Sequence, residues 1–400
     1  MTNHRADGEG VLVGVVGAGA MGTGIAQVAA TAGDRVIIAD ATPNATEKAR
    51  ASIVKTLDRE VEKQRLSRDD ADGVLSRISF QEEALRGDAG VYGDCDLVVE
   101  AVVERADIKQ SLFKALGAVV APDAILATNT SSLSVAAIAA SCSTPGRVVG
   151  MHFFNPAPVM PLVEVVPWLA SDREVVQRTY DTARRWKKLP VVASDTPGFI
   201  VNRVARPFYG EALRLYDEGV ADCATIDWAM KELGGFRMGP FELMDFIGND
   251  VNYAVTRTVF ESLFNDPRYK PSLTQQRLVD AGFLGRKSGR GYYDYGGGAS
   301  RPEPTKDPAL GLLIFERILA MLINEAADAV LMRVASPEDI DLAMTKGVNY
   351  PKGLLAWANE IGLPRVLGWL ERLHAEYGED RYRPSALLRR MVRDERRFFQ

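Results

Sequence analysis

The first forty residues contain the pattern that most constrains the fold of this chain. Residues 11–40 read VLVGVVGAGAMGTGIAQVAATAGDRVIIAD. An apolar run meets three closely spaced glycines, a stretch of small residues follows, and a second apolar run ends at Asp40. This order predicts a strand, a tight turn, a helix and a second strand, as at the start of a doubly wound α/β sheet. A glycine-rich turn in some other α/β protein is the alternative.

Each glycine of this turn has a different expected role if the segment binds a dinucleotide. Gly17 permits the tight turn, Gly19 lets the backbone approach a pyrophosphate, and Gly22 allows close packing of helix on strand. Asp40 lies where a carboxylate binds the ribose hydroxyls, and it would repel a 2′-phosphate, so NAD is favoured over NADP. The residues expected to contact the phosphates are Gly17, Gly19, Ala20, Met21 and Gly22.

Composition indicates a soluble enzyme of two or three domains. The chain has 400 residues and a net charge of −5, which gives no basic surface for nucleic acid. Neither an apolar leader nor an 18-residue apolar run occurs, so no membrane association is expected. Cys95, Cys142 and Cys223 are scattered, which suits the cytoplasm and argues against a disulfide framework or a bound metal.

One further segment, GMHFFNPAPVMPLVEVVP, contains the candidate acid–base residues. His152 follows an apolar run, and Glu164 interrupts a second one. A carboxylate within a buried strand needs a partner, because an unpaired buried charge is costly. A histidine one strand away can be that partner, and the two would form an oriented general base. A purely structural His–Glu hydrogen bond is the alternative, and the dinucleotide pattern favours the catalytic interpretation.

Polar residues follow two other predicted strands. Glu104 comes after the strand at 96–101, and residues 129–131 come after the strand at 124–128. Because the carboxyl ends of parallel strands face the ligand crevice, these residues are expected beside the cofactor. Ser131 and Ser132 are alternatively N-caps for a helix near 134–140, and this interpretation is preferred for Ser132.

The second half of the chain is predicted to be helical and duplicated. The two copies align at a constant offset of 114, at which Glu211-Ala212 meets Glu325-Ala326 and Ile226-Asp227 meets Ile340-Asp341. We therefore expect a Rossmann domain over residues 1–195 and a first helical module over residues 196–295. A linker over residues 296–309 and a second helical module over residues 310–400 are expected to follow.

Five motifs, GAGAMGTGIA, NTSSL, HFFNPAPVMPLVEVV, DTPGFIVNR and LGRKSGRGYYDY, occur in this order within residues 11–295. In this the chain resembles the L-3-hydroxyacyl-CoA dehydrogenases, and the repeat is similar to the duplicated C-terminal domain of longer family members. The resemblance implies a stand-alone enzyme that oxidises (S)-3-hydroxyacyl-CoA to 3-oxoacyl-CoA with NAD, and the reverse. It implies that His152 is the catalytic base, that Glu164 orients it, and that Ser131 and Asn202 hold substrate oxygens.

The same resemblance implies further contacts with the two ligands. Glu104, Asn129 and Asn155 match positions that line the nicotinamide and substrate cleft. Lys63, with Thr56 nearby, matches a lysine that meets a CoA phosphate. In single-module relatives the helical domain is the dimer surface, so the second module is expected to occupy that surface within one chain, as a monomer or weak homodimer.

Three other functions are compatible with parts of this pattern. A β-hydroxyacid dehydrogenase would use a lysine as its acid–base residue, but no lysine lies near Asn202 and Arg203. A sugar-acid dehydrogenase, such as one for L-gulonate, shares the HFFNP motif, and the second module favours a CoA substrate over it. A non-enzymatic, crystallin-like protein would not need the intact polar set. The length of the acyl chain, and whether it is dicarboxylic, stay open.

Overall fold

The computed structural model describes residues 10–81 and 89–400. The chain divides into two compact units, Met1–Asp195 and Thr196–Gln400. Within the described ranges, no helix is both long and apolar enough to cross a membrane.

The first unit is an eight-stranded sheet covered by helices. Its strands are β1 Leu12–Val16, β2 Arg35–Ala39, β3 Ile78–Gln81, β4 Leu97–Glu100, β5 Ile125–Thr128, β6 Val148–Phe153, β7 Leu162–Val166 and β8 Leu189–Val192. Its helices are α1 Ala20–Thr31, α2 Ala45–Glu62, α3 Arg68–Ser76, α4 Ala106–Val119, α5 Val135–Ala139 and α6 Arg173–Arg185. The strand order is β3-β2-β1-β4-β5-β6-β7-β8, which confirms the predicted doubly wound fold.

The strand direction reverses between β6 and β7. Strands β1 to β6 pair in parallel, β7 pairs antiparallel with β6, and β8 pairs in parallel with β7. A parallel neighbour needs a crossover of about a dozen residues or more, and the loop 154–161 is too short for one. The antiparallel register sets His152 directly opposite Glu164.

Two helical regions of the chain are each divided into two helices. The region 44–76 is not one continuous helix, because the chain turns at Gln64 with a φ of 56° and Ser67 then caps α3 by accepting the N–H of Asp70. The helical region over residues 201–217 is also divided, at Ala205, because Pro207 has no N–H for the helical ladder.

The second unit is helical. Its helices are α7 Val201–Val204, α8 Arg206–Asp217, α9 Cys223–Glu232, α10 Pro240–Ile247, α11 Asn249–Ser262, α12 Leu273–Asp280, α13 Pro308–Leu331, α14 Pro337–Gly347, α15 Leu354–Ile361, α16 Leu363–Tyr377 and α17 Ala386–Arg393. Helices α10 and α11 start 114 residues before α15 and α16, respectively, so the offset seen in the sequence recurs in the structure. The first helix of the second module, α13, begins at Pro308.

Equivalent carboxylates cap equivalent helices in the two modules. Asp227 accepts the N–H groups of Phe241 and Glu242 at the start of α10, both at 2.9 Å. Asp341 accepts the corresponding N–H groups at the start of α15 at 2.9 and 2.8 Å. A side chain at this position satisfies donors that a helix start leaves unpaired, which explains why the aspartate occurs in both copies.

The two modules also pack on each other through reciprocal contacts. Arg203 Nε donates to Glu325 at 2.7 Å, and Arg317 Nε donates to Glu211 at 3.1 Å. Each residue of one pair lies 114 positions from its counterpart in the other pair. An interface in which each side contributes the same two residues to reciprocal contacts is isologous. The two modules are therefore related by an approximate twofold axis within one chain.

Candidate active site

The glycine turn lies between β1 and α1. Gly17 has a φ of 104°, which side chains rarely permit, and a Cβ on Gly22 would lie 1.9 Å from the carbonyl oxygen of Gly17. A Cβ on Gly19 would meet no atom within 4 Å, so protein packing does not require a glycine there. Gly19 also leaves the start of α1, at Ala20 and Met21, without a side-chain cap. Uncapped N–H groups beside open space fit the pyrophosphate of a dinucleotide.

Asp40, just beyond β2, is fixed beside this turn. Its Oδ2 accepts the N–H of Ala18 and its Oδ1 accepts the N–H of Thr42, both at 2.7 Å. The carboxylate is half-buried and therefore still reaches solvent. This position fits an acceptor for ribose hydroxyls, as the sequence indicated.

Glu104 organises the turn that follows β5. Its Oε1 accepts hydrogen bonds from Thr130 Oγ1 at 2.6 Å and from the N–H groups of Ser131 at 2.9 Å and Ser132 at 3.1 Å. Burial alone would raise the pKa of Glu104, but the charge of Lys109 and these hydrogen bonds lower it to about 2. Glu104 is therefore ionised at neutral pH and holds Ser131 in place.

A buried cation near this turn was not predicted from the sequence. Lys109 on α4 is 1% exposed, and its Nζ lies 2.8 Å from Glu100 Oε1 and 3.0 Å from Glu104 Oε2. Glu100 also accepts from Thr128 Oγ1 at 2.6 Å. The network joins the ends of β4 and β5 to α4. The available signal was Glu100 itself, an acid in an apolar strand that needs a partner.

The alternative interpretation of Ser131 and Ser132 as N-caps of α5, which was preferred for Ser132, is wrong. Ser134, rather than Ser131 or Ser132, caps α5 by accepting the N–H of Ala137. Asp195 supplements this cap by accepting the N–H groups of Val135 at 3.0 Å and Ala136 at 2.8 Å. Ser131 and Ser132 are held by Glu104 instead, because the chain makes a further turn before the helix starts.

His152 and Glu164 form a buried pair across β6 and β7. His152 Nδ1 lies 2.7 Å from Glu164 Oε2, and the two residues are 6% and 0% exposed. The ring of Phe154 packs against the imidazole at 4.6 Å between centroids. Asn129 ties β5 to this pair, because its Oδ1 accepts the N–H of Phe153 at 2.8 Å. The structure thus brings His152, Glu164 and Asn129 together in the first unit.

The loop 154–161 joins these two strands and is anchored by Lys188. Lys188 Nζ donates to the carbonyl oxygens of Ala157 at 2.5 Å and Met160 at 2.9 Å. Lys188 is 7% exposed, and burial lowers its pKa to about 8. Asn155 in the same loop is exposed. Sequence reasoning missed Lys188, which lies just before β8.

A pocket of 490 Å³ lies beside this loop, between α1 and α2. Thr56 lines it together with Pro158 and Val159, and three cationic residues line it as well: Arg65, Lys187 and Lys188. Lys63 does not line this pocket. It ends α2 with a side chain that is 55% exposed and lies 3.7 Å from Glu60.

Asn202 belongs to the second unit. It is half-buried in the short helix α7, which follows a turn where Gly198 has a φ of 79°. Among the residues that the structure describes, no group of three His, Cys, Asp or Glu side chains could hold a metal ion.

Comparison with protein families gives consistent matches over both units. Residues 12–196 match the NAD-binding domain of 3-hydroxyacyl-CoA dehydrogenase. Residues 198–295 and 313–397 each match the C-terminal domain of the same family. The chain belongs to the 3-hydroxyacyl-CoA dehydrogenase family. It is therefore an NAD-dependent oxidoreductase, as the resemblance predicted.

Individual relatives of this 3-hydroxyacyl-CoA dehydrogenase agree with the assignment. The 3-hydroxyadipyl-CoA dehydrogenase of Escherichia coli K12 is 39% identical over 94% of this chain and 96% of its own length. A probable 3-hydroxybutyryl-CoA dehydrogenase of Deinococcus radiodurans is 43% identical over 70% of this chain and 99% of its own. The crystal structure of an E. coli 3-hydroxybutyryl-CoA dehydrogenase superposes with a TM-score of 0.91 at 38% identity, over 97% of this chain and 99% of that one.

Proposed function

We propose that this dehydrogenase interconverts (S)-3-hydroxyacyl-CoA and 3-oxoacyl-CoA, with His152 as the acid–base residue and Glu164 as its orienting carboxylate. The observation that supports the proposal is the buried contact of 2.7 Å between His152 Nδ1 and Glu164 Oε2. A carboxylate fixed on Nδ1 selects one tautomer and leaves Nε2 as the nitrogen that exchanges a proton with substrate.

The proton transfer follows from this geometry. During oxidation, His152 Nε2 accepts the proton of the C3 hydroxyl, and Glu164 stabilises the imidazolium that forms. The turn at Gly17 and Asp40 would hold NAD, which would supply the acceptor for the hydride that leaves C3. During reduction, the imidazolium returns its proton to the C3 oxygen. Acid–base help of this kind contributes about 10²–10⁴ to the rate.

Ser131 and Asn202 are proposed to hold substrate oxygens. A hydrogen bond to the C3 oxygen strengthens as negative charge develops there, and it therefore favours the transition state over the bound substrate. The contact between Glu104 and the N–H of Ser131 supports the role of Ser131, because it fixes the turn before substrate arrives. Asn129, Asn155 and Glu104 are proposed to line the nicotinamide side of the site.

The phosphates of CoA are proposed to bind near Thr56. The pocket that Thr56 lines also contains Arg65, Lys187 and Lys188, and cations in a concave site fit a phosphorylated ligand. Lys63, at the exposed end of α2, is proposed to contact the same phosphates from the edge of the pocket.

The assembly state and location are also proposals. The reciprocal contacts of Arg203 with Glu325 and of Arg317 with Glu211 support a second module that substitutes for a dimer partner. We expect a monomer or weak homodimer in the cytoplasm, with no nucleic-acid partner.

NADH oxidation with acetoacetyl-CoA tests this function. The same assay with NADPH, and a parallel assay with L-gulonate and NAD, are the controls. Rapid oxidation of NADH alone, with no turnover of gulonate, is expected. Turnover of gulonate without turnover of acetoacetyl-CoA would instead place the enzyme among the sugar-acid dehydrogenases.

A further inference from the structure

Arg206, on α8, is a buried cation without an anionic partner among the described residues. It is 7% exposed, its Nη1 donates to Thr256 Oγ1 at 3.1 Å, and its guanidinium lies 4.8 Å from the centroid of the Tyr209 ring. Its Nε has no hydrogen-bond acceptor, and within the described part of the chain it forms no ion pair. A buried charge of this kind is costly, and an anion from outside the chain would offset that cost.

Tyr350 provides a second unmatched donor at the same place. It is 5% exposed, and its hydroxyl has no partner among the described residues. Its ring packs against Phe208 and Phe236, and it interacts electrostatically with Arg206. An N–H and an O–H that both lack acceptors are complementary to a carboxylate, which has acceptor oxygens only.

The internal repeat shows that the helical fold does not require these polar residues. At the offset of 114, three positions that are polar in the first module are apolar in the second: Arg206, Tyr209 and Thr256 correspond to Ala320, Ile323 and Leu370. All three apolar residues are fully buried. By contrast, Arg203 and Glu211, which join the modules, recur as Arg317 and Glu325. Arg206 is therefore not needed for the fold that the two modules share. Its presence is consistent with a binding role that only the first module has.

The position of Arg206 relative to Asn202 indicates which ligand group it meets. The two residues lie four positions apart on either side of the junction between α7 and α8, and Ala205 at that junction keeps helical dihedrals, with a φ of −79° and a ψ of −12°. A helical path of this length places side chains four positions apart on one face. Asn202 is proposed to hold a substrate oxygen near C3. In an extended six-carbon acyl chain, C3 lies about 4 Å from the terminal carbon, because the three carbon–carbon bonds of about 1.5 Å meet at tetrahedral angles. The carboxylate oxygens lie about 1 Å further out, so they reach nearly as far as one helical turn of about 5.4 Å.

We propose that Arg206 and the hydroxyl of Tyr350 bind the terminal carboxylate of a dicarboxylic 3-hydroxyacyl-CoA, with Thr256 positioning the guanidinium. This assignment rests on the proposed function and narrows its substrate class. It also gives the second module a role, because Tyr350 follows α14 and completes a subsite whose other residues come from the first module.

The test compares 3-hydroxyadipyl-CoA with 3-hydroxyhexanoyl-CoA, which has the same chain length without the carboxylate. The measured quantity is the ratio of kcat/KM for the two esters, in wild type and in Arg206→Leu. We expect wild type to favour 3-hydroxyadipyl-CoA and Arg206→Leu to lower the ratio by about 10- to 100-fold, since a hydrogen bond to a charged group contributes that much to affinity. Tyr350→Phe should lower it less. Arg257→Leu, an exposed arginine on α11, is the matched control and should leave it unchanged.

Three outcomes would overturn the inference. An unchanged ratio in an Arg206→Leu variant with unaltered thermal unfolding, including an equal loss with both esters, contradicts it while the proposed function stands. If Arg206→Leu does not fold, an unchanged ratio in Tyr350→Phe contradicts it. If wild type turns over neither ester, nor 3-hydroxybutyryl-CoA, the proposed function fails and the inference fails with it.

Discussion

The ammonium of Lys188 lies 2.5 Å from the carbonyl oxygen of Ala157, and it is buried without a carboxylate partner among the described residues. A second bond, to Met160, makes this lysine the anchor of the loop between His152 and Glu164. The loop is also packed from the other side, because a Cβ on Gly24 would lie 3.0 Å from Ala157 Cβ. The positions of His152 and Glu164 are therefore expected to depend on a residue outside this pair.

Lys188→Met is expected to lower kcat and to destabilise the fold. Two carbonyl oxygens lose their donor, at about 1–3 kcal/mol for each buried group left unpaired. An exposed lysine on α4 offers a matched control, since Lys114→Met removes the same charge at a position away from the loop. Steady-state kinetics and urea unfolding of both variants test this. Equal behaviour of the two variants would show that the loop does not depend on Lys188.

The stability of the wild type should also depend on pH through Lys188. Its folded pKa of about 8 lies below the ordinary 10.5, so between these values the unfolded chain binds more protons than the folded one. The unfolding free energy contributed by this group must then rise with pH across that window. Urea unfolding at both ends of the window should show that the unfolding free energy of the wild type, relative to that of Lys188→Met, is larger at the higher pH. The same pH dependence of the unfolding free energy in wild type and in Lys188→Met would contradict a lowered pKa for Lys188.

Two glycines of the dinucleotide turn should respond differently to alanine. Gly22→Ala is expected to destabilise the fold by about 1–3 kcal/mol, as overpacking does, because the added carbon would overlap the carbonyl oxygen of Gly17. Gly19→Ala has free space in the protein and should leave stability unchanged. It should weaken NADH binding about tenfold, or 1.4 kcal/mol. Thermal unfolding and a fluorescence titration measure the two effects. Tight NADH binding by Gly19→Ala would argue against a pyrophosphate at that position.

Asp227 and Asp341, which cap equivalent helices in the two modules, should differ in how much they contribute to the unfolding free energy. Asp341→Ala removes two N–H acceptors at the start of α15 and should cost about 0.5–2 kcal/mol. Asp227→Ala should cost more, because the same carboxylate also accepts from the hydroxyl of Tyr293 at 2.7 Å. Urea unfolding of the two variants gives the order directly, and a larger loss for Asp341→Ala would contradict it.

The features that sequence predicted have local causes. The turn at Gly17 and the carboxylate at Asp40 are fixed by spacing within one βαβ segment. The proximity of His152 and Glu164 was also predictable, since a short loop between two apolar runs forces them to pair. The cap at Ser134 was missed because four polar residues in a row offered several equivalent starts for α5.

The features that sequence missed depend on distant partners. Lys109 is buried because Glu100 and Glu104, at the end of β4, meet its ammonium, whereas half of the residues in its own helix are exposed. Lys188 is buried because carbonyl oxygens of a different loop meet it. Arg206 is buried by residues of α11 and of the second module. None of these environments can be read from the residues adjacent in sequence.

The proposed internal twofold predicts how the chain behaves in solution. Sedimentation should show a monomer, or a dimer that dissociates on dilution, because the second module already covers the surface of the first. Glu211→Gln and Glu325→Gln remove equivalent members of the reciprocal pairs and should each lower the unfolding free energy. A dimer that persists on dilution and at high salt would contradict a second module acting in place of a partner.

The most direct test of the proposed mechanism is the turnover of His152→Gln, measured together with its affinity for NADH. We expect kcat to fall by about 10²–10⁴, because the group that exchanges the C3 proton is lost. NADH binding should be retained, because the turn at Gly17 and Asp40 is untouched. Turnover at the wild-type level in His152→Gln would contradict the assignment of the His152–Glu164 pair as the acid–base centre.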